Sequence, residues 1–201
     1  AAISHADRTL KEHFRPDGSC FHVVDYDPST GEVRKRNTAQ GLSDSSIWSR
    51  GQAWAIYGYT MMFRYTGERK YLEQVQKTFK MMKNHPDMPA DCIPWWDMCA
   101  FAQTGQSTPK YASAASVIDS ALYELCIMDS ANYQEYKVFD DKIISSLESA
   151  EYLANYGENG NFIIKHSSGN VPAHSEVDVP LNYADYYFLE ALYRKSQLEK
   201  K

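Results

Sequence analysis

The fold class is decided by the stretch YASAASVIDSALYELCIM, residues 111–128. Its apolar residues recur at intervals of three, four and seven positions, which is the spacing of one face of an α-helix. These residues are Ala114, Val117, Ile118, Ala121, Leu122 and Leu125. The pattern predicts a helix whose apolar face is buried against other elements of the fold.

The same spacing continues outward from this stretch in both directions. Five more helices are predicted, at residues 2–14, 49–66, 68–84, 133–156 and 180–198. The helix predicted at residues 133–156 is long enough to be broken into two. Gly67 and Pro86 follow the second and third, where glycine favours a helix end and proline prevents continuation. The sequence therefore predicts a mainly α fold, an array of helical hairpins.

Strand patterns are few. Residues 20–26 and 32–36 flank the turn sequence DPSTG and predict a short β-hairpin in the region 20–36. Residues 162–165 are a second candidate for a short strand. No period of about 34 residues recurs, which argues against a regular helical solenoid.

Composition and length narrow the class of protein. The 201 residues carry a net charge of −5 and are 43% apolar and 23% charged, which excludes a disordered tail and disfavours nucleic-acid binding. No apolar run approaches the roughly 20 residues of a membrane span, and residues 1–15 are too polar for a signal peptide. We expect residues 1–201 to form a single domain or part of a larger one.

The cysteines do not identify a compartment or a metal. Cys20, Cys92, Cys99 and Cys126 lack the spacing of a zinc site or of a redox pair. They are interpreted as buried or half-buried thiols, with a disulfide or a metal as the less favoured alternatives. The sequence accordingly predicts neither a metal nor a cofactor, and the localisation stays unknown.

The most informative stretch for function is NTAQGLSDSSIWSRGQAW, residues 37–54, which places Arg50 in the first turn of a predicted helix. A helix N-terminus is partially positive, so a cation is unfavourable there unless something negative compensates it. Two interpretations are equally open. A bound anion compensates Arg50, or Arg50 forms an ion pair with Asp44 or another carboxylate.

Aromatic residues surround Arg50 in the sequence. Trp48 and Trp54 bracket the helix start and are either core residues or walls of a pocket that holds a sugar ring. His22 lies among apolar neighbours, where a histidine is more often a hydrogen-bonded core residue than a ligand.

Two connections, residues 16–48 and 86–109, are longer than the usual link between paired helices, and such loops commonly build a site. None of the common catalytic signatures is present. The residues alone therefore indicate a helical domain with an aromatic, anion-accepting pocket.

Seven motifs together resemble glycoside hydrolase family 88, the unsaturated glucuronyl hydrolases. They are RPDGSCFH (15–22), DPSTG (27–31), TAQGLSDSSIWSRGQAW (38–54), IPWWDM (93–98), YASAAS (111–116), GENGNF (157–162) and SEVDVPLNYADYYFLEAL (175–192). Their order and spacing agree over almost the whole chain. The form WSRGQAW is similar to this family rather than to the related rhamnogalacturonyl hydrolases.

This resemblance implies a fold and a reaction. The family fold is an (α/α)6 barrel, and the predicted helices would form its C-terminal half. The family removes a 4,5-unsaturated uronic acid from oligosaccharides left by polysaccharide lyases. An aspartic acid protonates C4, water attacks C5, and the hemiketal collapses, so general acid–base catalysis applies without the usual two-carboxylate geometry.

The resemblance also implies site residues. By motif, the sugar-acid pocket would be lined by five substrate-binding residues, which are His22, Gln40, Trp48, Arg50 and Trp54. The two aspartates central to catalysis are expected upstream of Ala1 in register. No catalytic residue is therefore assigned in this chain.

The sequence departs from the family pattern at three places. Ala39 stands where a histidine is frequent, Tyr111 stands where an aspartate is frequent, and residues 97–101 differ from the usual continuation WDFxAP. The last two departures concern the pocket rim and substrate preference.

The expected partner is an unsaturated uronic-acid oligosaccharide, with neither nucleic acid nor membrane. An open half-barrel would expose apolar inner faces, so we expect the chain alone to be inactive and to associate with the missing N-terminal half or with itself. Two alternatives remain. One is a non-catalytic module that holds acidic sugars through Arg50 and the two tryptophans, and the other is a helical scaffold.

Overall fold

The computed structural model describes residues 1–200 and is mainly helical, as predicted. The described residues contain helices α1 (Ala2–Glu12), α2 (Ser49–Thr66), α3 (Arg69–Lys83), α4 (Phe101–Thr104), α5 (Ala112–Met128), α6 (Tyr133–Leu147) and α7 (Asn182–Leu198). Strands β1 (Val23–Tyr26) and β2 (Val33–Asn37) form an antiparallel hairpin between α1 and α2. The short helix α4 was not predicted; the ends of α1, α2, α3, α5 and α7 lie within two residues of their predicted positions.

Helix α5 is the centre of the fold. It packs against α2, α6 and α7, and every residue from Ala112 to Cys126 is buried. The predicted apolar stripe explains one face. The other faces carry small and polar residues, among them Ser116, whose Oγ donates to the carbonyl oxygen of Ala112 at 3.1 Å. The helix is therefore enclosed on all sides rather than lying amphipathically at the surface.

Helices α2 and α3 form the first helical hairpin. Gly67 ends α2 with φ of 69°, a left-handed conformation that glycine adopts without steric penalty, and its N–H donates to the Phe63 carbonyl at 2.8 Å. The apolar stripe of α3 is buried as predicted and consists of Leu72, Val75, Phe79 and Met82. The pairing of consecutive helices is thus confirmed here.

The helix predicted at residues 133–156 is shorter in the structure. It ends at Leu147, and the N–H of Ser149 then donates to the Ser146 carbonyl at 3.0 Å in a turn. The chain returns through a single antiparallel bridge between Leu153 and Ile164. The break lies nine residues before the predicted end.

The predicted strand at residues 162–165 is wrong. Backbone pairing of this segment stops at the single bridge, in which the Lys165 N–H donates to the Tyr152 carbonyl at 2.8 Å and the Ala154 N–H donates to the Ile163 carbonyl at 2.9 Å. The carboxylate of Asp185, in the first turn of α7, accepts the N–H groups of Ile163 and Ile164, each at 2.9 Å. Asp185 therefore ties this segment to α7. None of the helices in residues 1–200 combines the length and hydropathy of a membrane-spanning helix.

Candidate functional site

The loop between α3 and α5 supports the start of α2. The Ser49 N–H donates to the Trp96 carbonyl at 3.2 Å. The side chain of Asp97 is fully buried, and one of its oxygens accepts the Leu42 N–H at 3.0 Å and the Ser46 hydroxyl at 2.6 Å. Asp97 therefore fixes the loop that carries Gln40 and leads into α2. The long loop does help to build this region, as its length predicted.

Arg50 lies in the first turn of α2 and is only 8% exposed. Its Nη1 donates to the Ser168 carbonyl at 2.8 Å and to Tyr183 Oη at 2.9 Å. Its Nη2 donates to Gln40 Oε1 at 2.6 Å and to the Gly169 carbonyl at 2.9 Å. These four bonds use all the terminal N–H hydrogens of the guanidinium, and all four acceptors are neutral.

The ion pair between Arg50 and Asp44 is wrong. Asp44 Oδ1 accepts the Thr38 N–H at 2.9 Å, and Asp44 Oδ2 lies 3.8 Å from Lys35 Nζ. No carboxylate of residues 1–200 takes the place of Asp44, since every acceptor of the guanidinium is a carbonyl, amide or hydroxyl oxygen. The buried charge is therefore solvated by dipoles, and the anion-accepting interpretation remains.

Aromatic rings enclose the Arg50 guanidinium. Its Cζ lies 4.7 Å from the ring centre of Trp48, 5.1 Å from that of Tyr111 and 5.9 Å from that of Tyr183. Ring faces attract a cation at these distances. Burial raises the pKa of the Tyr111 phenol, so this ring stays neutral beside the cation. Tyr111, one of the departures from the family pattern, thus forms part of the Arg50 environment.

His22 is held in one tautomer by its backbone neighbours. Its Nδ1 accepts the N–H groups of Ala39 and Gln40, both at 3.1 Å, and its ring stacks on Trp48 at a centroid distance of 4.0 Å. Because Nδ1 is an acceptor, the hydrogen of the neutral ring sits on Nε2. Burial, and secondarily the charge of Arg50, lowers the pKa of His22. His22 can therefore offer a neutral Nε2–H donor.

Two adjoining cavities divide the predicted binding residues between them. The first, about 200 Å³, is lined by Gln40, Arg50, Trp54, Gly169, Glu176, Leu181 and Tyr183. The second, about 470 Å³, lies between α1 and α2, and its walls include His22, Trp48 and Trp54. Trp54 lines both cavities and is 36% exposed. The structure brings all five residues around the start of α2, and their role in binding stays a prediction.

The catalytic aspartates expected upstream of Ala1 lie outside the described residues. Ala1 itself is not a site residue. It is exposed, it precedes α1, and its carbonyl accepts the His5 N–H at 3.0 Å. It lines neither of the two cavities and has no side-chain group that could transfer a proton. Ala1 therefore marks only the register of the resemblance, and the source of the catalytic acid stays a prediction.

Sequence reasoning missed part of this site. Arg50 is contacted by residues that lie far from it in the sequence. Tyr183 is 133 residues further along the chain, and Ser168 and Gly169, which contribute their carbonyls, are 118 and 119 residues further along. Tyr183 lies in a motif that carries the family resemblance, but no local pattern marks its hydroxyl as a contact of Arg50. Backbone carbonyls leave no trace in side-chain patterns. Within residues 1–200, no group of three or more His, Cys, Asp or Glu side chains is arranged to hold a metal ion.

Comparisons with known proteins agree with one another, although no protein-family model matches the chain. The chain is 46% identical over 198 residues to an unsaturated glucuronyl hydrolase of Formosa agariphila, a match that covers 98% of this chain and 48% of that protein. The solved structure of an unsaturated glucuronyl hydrolase specific for heparin has a TM-score of 0.95 at 47% identity, covering 99% of this chain and 53% of that one.

A third similar protein was solved with a sugar. It is a variant of the unsaturated glucuronyl hydrolase of Streptococcus agalactiae in complex with dGlcA-GalNAc6S. Its TM-score is 0.81 at 28% identity, over 96% of this chain and 51% of that one. The chain thus spans about half the length of the relatives it matches.

Proposed function

We propose that the protein containing this chain removes 4,5-unsaturated glucuronic acid from lyase-generated oligosaccharides, because the chain belongs to the unsaturated glucuronyl hydrolases of glycoside hydrolase family 88. In this reaction an acid protonates C4 of the double bond and water adds at C5. The resulting hemiketal then opens and releases the remaining sugar. The role of this chain is to bind the unsaturated sugar acid.

The buried, unpaired charge of Arg50 carries this proposal. An arginine cannot lose its proton, so a buried guanidinium without a carboxylate partner leaves positive potential in the adjoining cavity. That cavity also has the Trp54 ring in its wall, and His22 and Trp48 line the neighbouring one. A sugar ring that carries a charged carboxylate and presents a C–H face matches both features, whereas a neutral sugar would match only the aromatic rings.

We propose a heparin-derived unsaturated disaccharide as the first substrate to test. The relative described as specific for heparin is 47% identical to this chain, whereas the relative solved with dGlcA-GalNAc6S is 28% identical. Pocket residues diverge more as overall identity falls. The dGlcA-GalNAc6S disaccharide therefore serves as the second substrate.

We further propose that the catalytic acid comes from the part of the protein upstream of Ala1 and that the chain alone is inactive. The only carboxylate that lines the Arg50 cavity in residues 1–200 is that of Glu176, which is exposed. A general acid acts from a fixed position within hydrogen-bond reach of the reacting atom, and burial does not fix the exposed side chain of Glu176. The exposed apolar residues of α2 and α7 would be covered by the remaining half of a barrel; they are Trp54, Met61, Tyr65, Tyr186, Leu189 and Tyr193.

The test follows the ultraviolet absorbance of the C4–C5 double bond with the full-length protein and, separately, with this chain. We expect absorbance to fall with the full-length protein and to stay constant with the chain alone. Constant absorbance with the full-length protein would remove the enzymatic proposal. If calorimetry then still detects disaccharide binding, the non-catalytic sugar-binding module becomes the better description.

A further inference from the structure

Tyr183 occupies the wall of the Arg50 cavity from a distant part of the chain. It is the second residue of α7, and its ring centre lies 6.0 Å from that of Trp54. Its hydroxyl oxygen accepts a hydrogen from Arg50 Nη1 at 2.9 Å. We propose that the Tyr183 hydroxyl donates a hydrogen bond to the carboxylate of the bound sugar acid and that Arg50 sets its direction. This inference rests on the proposed function, since that function supplies the carboxylate.

The direction of the Tyr183 hydrogen follows from the chemistry of its neighbour. A guanidinium has donors only, so the lone pair of Tyr183 Oη faces Arg50 and the phenolic hydrogen points elsewhere. The acceptor that the described residues offer it is Ser113 Oγ at 3.4 Å. That is beyond the usual O–H···O range of about 2.5–3.0 Å. The hydrogen is therefore poorly used within the protein and available to a ligand.

Gln40 is oriented in the same way. Its Oε1 accepts from Arg50 Nη2 at 2.6 Å, so its amide NH2 group faces away from the guanidinium. Arg50 thus directs two neutral donors, the Tyr183 hydroxyl and the Gln40 amide, while its own four terminal hydrogens are occupied. A bidentate contact between Arg50 and a carboxylate would break two of these bonds. Two directed donors beside a fixed positive charge bind an anion without that loss.

The experiment replaces Tyr183 with phenylalanine in the full-length protein and uses Tyr187→Phe as the matched control. Tyr187 lies one turn further along α7 and also packs on Trp54, at 5.2 Å, but its hydroxyl makes no hydrogen bond with residues 1–200. Each variant is assayed on the unsaturated disaccharide and on its uronate methyl ester. Urea unfolding of both variants checks that the fold is kept.

We expect Tyr183→Phe to lower kcat/KM for the free acid by roughly tenfold to a hundredfold, because a hydrogen bond to a charged group is lost. The change should appear mainly in KM. For the methyl ester the loss should stay within about threefold, since the acceptor there is neutral. Tyr187→Phe should match the wild type on both substrates.

Two results would overturn the inference: an unchanged kcat/KM, or an equal loss on the acid and on the ester, which would indicate packing alone. If the wild-type protein turns over neither compound, the proposed function fails separately. Calorimetry with the free-acid disaccharide then decides the inference, because weaker binding to Tyr183→Phe supports it and equal binding contradicts it.

Discussion

Two regions of the molecule bury ionisable side chains without an oppositely charged partner, and the surroundings of these side chains differ. Around Arg50, four neutral oxygens from three parts of the chain surround one guanidinium. Between α5 and α6, Asp119 and Asp140 are fully buried against each other, and their four oxygens accept no hydrogen from any other group of residues 1–200. In the first region a cationic donor is surrounded by neutral acceptors. In the second region two carboxyl groups face each other without a donor from any other residue.

The difference follows from what each side chain can do with its proton. Arginine remains charged under all ordinary conditions, so the fold must bring dipoles to it. Two aspartates can instead share or keep protons. Burial raises the pKa of Asp119 to about 7, and burial together with the neighbouring Asp119 raises that of Asp140 well above its ordinary value. The Arg50 region therefore keeps its charge, whereas the aspartate pair loses charge and so becomes compatible with the core.

The largest effect is expected from removing the charge of Arg50. Arg50→Met leaves the carbonyls of Ser168 and Gly169 and the amide oxygen of Gln40 without their donor. We expect the free energy of unfolding to fall by about 3 kcal/mol, because several buried acceptors lose a charged partner. Affinity for the unsaturated disaccharide should fall at least a hundredfold, on the order of the same energy.

Arg50→Lys sharpens this result, because it keeps the charge and loses the planar fork. We expect its affinity to lie between those of the wild type and Arg50→Met, since one ammonium cannot direct both Gln40 and Tyr183. Urea unfolding and isothermal calorimetry of the full-length protein measure both quantities. If the lysine variant bound the disaccharide with wild-type affinity, the positive charge alone would be sufficient for binding. The orientation of Gln40 and Tyr183 by Arg50 would then have no role.

The second prediction concerns the aspartate pair and pH. Both folded-state pKa values lie above the unfolded value, so the folded protein binds more protons and stability decreases as pH rises from about 4 through about 7. Asp140→Asn removes one titrating group and supplies an N–H donor to Asp119. At pH 8 we expect this variant to be more stable than the wild type by about 2 kcal/mol, the order of the cost of leaving a buried polar group without a partner.

Asp141→Asn is the matched control for that experiment. Asp141 is adjacent in sequence, its side chain is 45% exposed, and it pairs with Lys137 at the surface. Its charge is one of the smaller causes of the raised pKa values of Asp119 and Asp140, so its removal should change the slope of stability against pH much less than Asp140→Asn does. Urea unfolding at several pH values gives the slopes. Parallel curves for the wild type and Asp140→Asn would contradict the shared-proton description of the pair.

The two regions also differ in how far the sequence predicted them. Periodicity located α2 and α5 because the spacing of apolar residues is a local signal, and Gly67 also marked the end of α2. The same signals placed Arg50 at a helix start and made an anion plausible. They could not reveal Ser168 and Gly169, whose contribution is a backbone carbonyl, nor the meeting of Asp119 and Asp140, which depends on how α5 and α6 pack.

The failures have the same origin. Residues 162–165 have the composition of a strand, yet their backbone pairing stops at one bridge and the Asp185 carboxylate accepts the N–H groups of Ile163 and Ile164. The resemblance to a known family supplied Gln40 and His22 as pocket residues, which periodicity alone would have missed. Contacts between distant segments are therefore what the sequence conceals: hydrogen bonds around Arg50 and helix packing around the aspartate pair.

The smallest expected effect tests whether the cavity beside Arg50 favours anions. Glu176 is an exposed carboxylate in its wall, so it opposes the binding of a sugar acid. Glu176→Gln should raise the affinity for the unsaturated disaccharide roughly threefold at low salt, with a smaller gain at about 0.15 M ionic strength, because exposed charges are screened. Affinity for the methyl ester should not change.

Glu199→Gln is the control for this prediction. It removes the same charge at the far end of α7, about 24 Å along the helix from Tyr183, and should have no effect on the affinity for either compound. Equal gains from both variants would mean that net charge, rather than the Arg50 cavity, selects the anion.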